Sequence, residues 1–212
     1  MADILVGYTY SRGLARYRDL TTGRFVSRNN IVSLLETQVD STERRLGALV
    51  NAAHEGRVSP SWFAETMRTE LRRAHLQNRA LGMGGFDRLD ASNYGAVGRK
   101  LRDDYARVAR LAQDLADGNV TLPQALQRVR GYAGNARLEY WEAERAAMRG
   151  TGRSMEARRM LNPAEHCQTC IWLASKSWRP MDEIPVPGDG STECGSYDRC
   201  SIEYRTTPVQ NA

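Results

Sequence analysis

The chain has 212 residues, 41% of them hydrophobic and 26% charged, with a formal net charge of +5. That composition suits a globular protein with one core and an appendage, and no stretch approaches the ~18 consecutive apolar residues of a membrane span. Acids and bases are interleaved through most of the length, the pattern of solvated helix faces rather than of a dedicated nucleic-acid surface. Lys100 and Lys176 are the only lysines, an arginine bias that a GC-rich genome produces without any selection on chemistry.

The opening Met1-Ala2-Asp3-Ile4-Leu5-Val6-Gly7 lacks the basic start and apolar core of a secretory signal, so the chain is expected to fold inside a cell. Residues 1–29 read as an N-terminal arm. Within it, Leu20 and Phe25-Val26 flank a Thr21-Thr22-Gly23 turn, which predicts a small hairpin. An isolated hairpin is marginal in water, so the arm should be mobile or docked, with a neighbouring subunit as a reasonable acceptor.

Residues 30–150 read as helical. Leu35, Val39, Thr42, Leu46, Leu49 and Ala53 recur at steps of four and three, the seam of one helix face. The rhythm returns in Phe63, Met67, Leu71, Ala74, Asn78 and Leu81, and in Leu101, Tyr105, Val108, Ala112 and Leu115. A further helix from Thr121 to about Met148 turns Leu126, Val129, Ala133, Ala136 and Tyr140 inward. Gly56-Arg57-Val58-Ser59-Pro60 stops one helix with glycine and starts the next with a serine cap and proline, and Gly118 to Pro123 repeats that grammar. Each joint makes an antiparallel pair, while Gly82-Met83-Gly84-Gly85-Phe86 allows a reversal between the pairs. The expected fold is mainly α: an elongated antiparallel helical bundle with an N-terminal arm and a small C-terminal cysteine-rich, zinc-binding-like module. Trp62 and Trp141 are expected to anchor the core.

Residues 151–212 form the cysteine module and tail. Cys167-Gln168-Thr169-Cys170 is followed by Cys194 and Cys200, with five residues between the last two. Four thiolates so grouped can close a tetrahedral shell around zinc, standing in for the core that so short a segment lacks. Free thiols and two disulfides are the alternatives, the latter disfavoured by an intracellular origin. His166, beside Cys167, is either an alternative ligand or a supporting group behind the ligands. A short helix from Cys170 to Ala174, a proline-glycine loop and a strand through Ile202 and Tyr204 complete the expected module. Arg145, Arg149, Arg153, Arg158 and Arg159 make the densest basic stretch, and Arg149, Arg153, Arg158 and Arg159 are the candidate anion or DNA contacts.

No catalytic constellation is evident. His54 and His75 fall on helices in solvent-facing or packed roles, no phosphate-cradling glycine loop is present, and Asp182, Glu183 and Asp189 read as solvated turn residues. The expectation is a non-enzymatic protein.

The ending Glu165-His166-Cys167-Gln168-Thr169-Cys170, then Trp178, then Pro187 to Cys194, then Asp198-Arg199-Cys200-Ser201-Ile202-Glu203-Tyr204-Arg205, resembles the C-terminal signature of tailed-phage minor head proteins, the head morphogenesis proteins of the Mu F type. Tyr17-Arg18-Asp19 with Thr22-Gly23-Arg24-Phe25-Val26-Ser27 is also similar to openings of phage structural proteins. Those relatives commonly end in Cys-Arg-Cys, where this chain has Asp198-Arg199-Cys200, so Cys194 must serve if four thiolates are needed. The resemblance implies a virion component of the head interior or portal vertex, present in the host cytoplasm during assembly. It further implies that copies of the chain assemble with portal or major capsid protein, assist head morphogenesis, DNA packaging or ejection, and touch packaged DNA non-specifically, with no membrane partner. A zinc-dependent nucleic-acid-binding protein is the alternative, with Arg153, Arg158, Arg159, Arg179 and Arg199 facing phosphates and the tryptophans stacking on bases.

Overall fold

Helix boundaries follow from caps that satisfy free backbone N–H groups. The computed structural model describes Leu5 and residues 7–207; the rest of the opening heptapeptide and the last five residues lie outside the described residues. Its helices are α1 (Arg28–His54), α2 (Pro60–Met83), α3 (Ala91–Ala116) and α4 (Leu122–Arg149). The side chains of Ser27, Ser59, Asp90 and Thr121 accept from the backbone N–H groups of Asn30, Trp62, Asn93 and Gln124, respectively. Gln124 returns the bond to Thr121, a capping box. At 24 to 28 residues, these rods are roughly 40 Å long at ~1.5 Å per residue. The molecule is mainly α, as the periodicity implied, and among the described residues no helix is long and apolar enough to cross a membrane.

Two apolar clusters lie along the bundle. One gathers Leu46, Phe63, Met67, Leu71, Val108, Leu111 and Val129 from all four helices. The other joins Leu35, Val39, Leu81, Tyr140 and Trp141 to residues of the arm and of the cysteine module. Trp141 is fully buried, but Trp62 is 49% exposed and anchors nothing.

Between these clusters sits a polar layer that the sequence reading passed over. The imidazole of His75 lies 3.2 Å from Asp104 Oδ2 through Nε2 and 3.2 Å from Glu139 Oε1 through Nδ1, and all three side chains are buried. Burial disfavours charge on both His75 and Glu139, yet partners prevail. The Asp104 and Glu139 carboxylates raise the His75 pKa, and the hydrogen bond from His75, the Lys100 charge and the hydrogen bond from Arg79 together hold the Glu139 carboxyl down to about 2. Nδ1 is hydrogen-bonded to Glu139, Nε2 faces Asp104 as an ion-pair contact outside hydrogen-bond geometry, and two buried carboxylates favour a protonated imidazole between them.

The arm is a hairpin of β1 (Tyr8–Ser11) and β2 (Arg16–Asp19). The expected turn at Thr21-Thr22-Gly23 follows it, closed by a single Arg18–Phe25 bridge. The arm docks on its own bundle: buried Tyr17 donates its hydroxyl to the Leu81 carbonyl at 2.6 Å, and the Tyr10 ring rests on Gly84. That glycine ends α2 at φ +98°, and any Cβ there would enter the ring.

After α4 come β3 (Met155–Met160), α5 (Gln168–Ser175), β4 (Arg179–Pro180) and β5 (Ser201–Thr206), with the strands in antiparallel order β4-β3-β5. The short helix and final strand match expectation; β3 was not foreseen. The module is not without apolar burial either. Ala157, Met181, Ile184, Val186 and Ile202 pack into the same cluster as Leu81, Tyr140 and Trp141. Buried hydrocarbon therefore fastens this end to the bundle.

Candidate metal centre

The cysteines come from three places that the fold brings together. Cys167 is the cap residue of α5, its sulfur accepting from the Cys170 N–H at 3.4 Å. That geometry turns Cys170, in the first turn, inward and out of solvent. Cys194 ends the proline-glycine loop and starts the 3-10 turn Gly195–Tyr197; a Thr169 hydroxyl donating to Glu193 Oε1 at 2.8 Å holds that loop against α5. Cys200 directly precedes β5 and is fully buried.

The sulfurs of Cys167, Cys170 and Cys194 lie within 4.8 Å of one another, and Cys170 Sγ also lies within 4.8 Å of Cys200 Sγ and of an Asp198 carboxylate oxygen. Cys170 is thus the shared vertex of two triads. Cys170 and Cys194 sulfurs stand 3.8 Å apart. A tetrahedral zinc with bonds of ~2.3 Å requires sulfur–sulfur edges of roughly 3.8 Å, whereas a disulfide needs about 2.05 Å. The four cysteines are free thiols, and their donor type and spacing fit a metal ion such as zinc.

The thiols do not ionise alike. Burial pushes Cys170 and Cys194 up to about 12 and raises Cys200. Burial opposes Cys167 ionisation too, but hydrogen bonds involving Cys194 and the Cys170 amide outweigh it and bring its pKa down to about 7. A bound cation reverses the penalty on the others, so metal uptake would release protons.

His166 stands beside this set. Its Nε2 is 2.7 Å from the Asn162 carbonyl and its Nδ1 is 3.6 Å from Cys200 Sγ. A carbonyl only accepts, so Nε2 carries a proton, and Nδ1 faces the cluster. Such a carbonyl contact is the usual orienting bond of a metal-site histidine.

Beneath the thiols lies a group expected elsewhere. Arg159 was a candidate DNA contact, but its side chain is fully buried, paired with Asp198 and 3.9 Å from Cys170 Sγ. The Asp198 carboxylate is also bound by the Cys200 N–H at 3.0 Å and the Thr192 hydroxyl at 3.1 Å. The buried guanidinium is neutralised by the equally buried Asp198 carboxylate. Asp198 belongs to the second triad with Cys170 and Cys200, and its carboxylate is at the same time paired with Arg159.

The other candidate anion contacts are largely spoken for. Arg149 pairs with Asp182. Arg158 pairs with Glu203 at 2.6 Å and stacks on Trp178, which Arg205 covers from 4.5 Å. Arg199 pairs with Glu36 at 3.0 Å. Only Arg153 of the four is exposed and without a carboxylate partner among the described residues. Trp172 is 55% exposed, with Lys176 Nζ 3.4 Å from its ring centre.

The module is tied to the bundle from below. Arg137 of α4 donates to the Asp198 carbonyl and to Glu36, Arg145 donates to the Ile184 carbonyl, and Gln127 Nε2 donates to the Tyr197 hydroxyl at 2.9 Å. Ser196 rests its backbone against Gly134, where a side chain has no room. Asp198 and Arg159 were legible only indirectly, the first by standing in a cysteine's place and the second by falling two residues after Ala157 on one strand face.

Comparison of the chain with family models, with curated proteins and with solved structures gives no match.

Proposed function

We propose that the chain is a structural minor head protein of a tailed bacteriophage, assembling with portal or major capsid subunits and assisting head morphogenesis, DNA packaging or ejection. What supports the reading is the terminal motif: the residues that carry the resemblance are those gathered around the thiols, including Cys167, Cys170, Cys194, Asp198 and Cys200. In this role zinc bound by Cys167, Cys170, Cys194 and Cys200 is structural and fixes the module against the bundle. The exposed Leu161, Ile171 and Trp172 give that module an apolar surface suited to assembly. Long rods carrying a rigid end-piece serve scaffolding better than catalysis.

The test is co-assembly. Co-expressed with portal and major capsid subunits of the same phage, the chain should co-purify with one of them and be found in heads by mass spectrometry. Failure to associate with either subunit, together with absence from immature and mature heads, refutes the assignment.

A further inference from the structure

A cleft of about 450 Å³ runs between α3 and α4 and is walled on its remaining side by Ser196 and Tyr197 of the cysteine module. Arg107 and Arg110 reach it from α3 and Arg128 from α4, against a single lining carboxylate, Asp114. Asp114 is bound to Arg128 at 2.5 Å. Arg107 has only a long contact of 3.5 Å to Asp104, a group already engaged by His75. Arg110 has no carboxylate partner among the described residues.

Several arginines of the module meet a carboxylate of their own, Arg149 with Asp182, Arg158 with Glu203 and Arg205 with Glu156, whereas in this cleft three guanidinium groups share one lining carboxylate. The wall also carries a flat, prepositioned ring. Tyr197 is 46% exposed, yet its hydroxyl both accepts from Gln127 Nε2 at 2.9 Å and donates to the Gln127 carbonyl at 3.1 Å. Guanidinium forks bind phosphoryl oxygens in pairs, and an aromatic face beside a cationic groove is the arrangement that holds an unpaired base.

We propose that this cleft is a phosphate-ester site, in which Arg107, Arg110 and Arg128 hold the phosphoryl group and Tyr197 offers its ring to the attached base. The inference does not depend on the virion reading, since it needs only the cleft and its charges. Two sources share the chemistry, a single-stranded nucleic-acid backbone and a free nucleotide.

The experiment measures fluorescence anisotropy of a labelled oligothymidylate with the full chain at low salt, and calorimetry with thymidine monophosphate. The paired substitution Arg107→Glu and Arg110→Glu should weaken binding at least ~10-fold and, for a strand, flatten the slope of log affinity on log salt by about 1.4, from two lost contacts at ~0.7 each. Arg12→Glu with Arg24→Glu makes the same change in net charge at exposed arginines outside the cleft and should leave affinity within about twofold of the parent, the scatter expected of surface substitutions of ~0.5 kcal/mol. Binding of the oligonucleotide alone identifies the strand as ligand; equal sensitivity of monophosphate binding identifies the nucleotide. No binding of either probe, or equal loss in both double variants, overturns the proposal.

Discussion

Gly134 is where the cysteine module meets the bundle most closely, and replacing it with alanine separates two opposed effects. In a helix interior alanine is favoured over glycine by ~1 kcal/mol. Here the new methyl would stand 3.0 Å from the Ser196 carbonyl carbon and 3.2 Å from its Cβ, with the Ser196 oxygen closer still. The obstacle is backbone, held by the Tyr197–Gln127 bonds, so it cannot swing aside as a long side chain would. Overpacking against backbone that cannot move falls in the upper part of the usual range, about 2–3 kcal/mol, which leaves Gly134→Ala destabilised by about 1–2 kcal/mol. For a chain of this size that lowers Tm by about 2–8 °C. Gly98 of α3 is the control, because nothing lies within 4 Å of a Cβ placed there; Gly98→Ala should raise Tm by about 1–4 °C. Thermal unfolding followed by far-UV circular dichroism reads both. If Gly134→Ala gains stability as Gly98→Ala does, the module does not dock on α4 as described.

The His75 layer sets a pH dependence. The folded pKa of His75 lies above its ordinary 6.5, so its charge contributes fully below that value and the contribution is lost as pH rises through the folded pKa. Glu139, depressed from 4.5 to about 2, contributes above 4.5, and that share is lost as pH falls toward 2. His75→Gln should cost about 3–5 kcal/mol at neutral pH and abolish the alkaline loss; urea midpoints across pH measure this, and an unchanged profile contradicts the ion-pair assignment. Arg159→Met strands Asp198 beside the thiols and should also cost about 3–5 kcal/mol, whereas Arg159→Met with Asp198→Leu should recover much of it; no recovery in the double variant would mean that the pair is not the coupled unit inferred here. Trp141→Ala should cost about 3–5 kcal/mol and Trp62→Ala less than ~0.5 kcal/mol by denaturant unfolding; similar losses would place both rings in the core.

Much of the fold could be read from spacing because its helices obey a simple rule. Leu35, Val39, Thr42 and Leu46 all lie on the buried face of α1, and the capping residues at Ser59 and Thr121 start helices where their chemistry requires. The reading slipped where polar residues occupy apolar positions. On α3 the buried face runs Val97, Leu101, Asp104, Val108, Leu111 and Ala112, so Leu101, Val108 and Ala112 were read correctly, while an aspartate takes the seam position given to Tyr105, which like Leu115 is only partly buried. The same cause hid β3, whose inward residues are Ala157 and Arg159: period-two burial carried by an arginine looks like a charged surface. The thiol cluster was legible because cysteine has few other uses in such a grouping. The ion pair beneath it was not, since an arginine that meets a buried aspartate and one that meets DNA are the same letter until the fold places them.

The central claim is that Cys167, Cys170, Cys194 and Cys200 together hold one metal ion that secures the C-terminal module. Elemental analysis of the purified protein, paired with thiol titration before and after chelation, tests it most directly. One zinc per chain is expected, with the thiols shielded until the chelator is added and all four then reacting. Protein that is folded, free of metal and reactive at all four thiols from the start would contradict the claim.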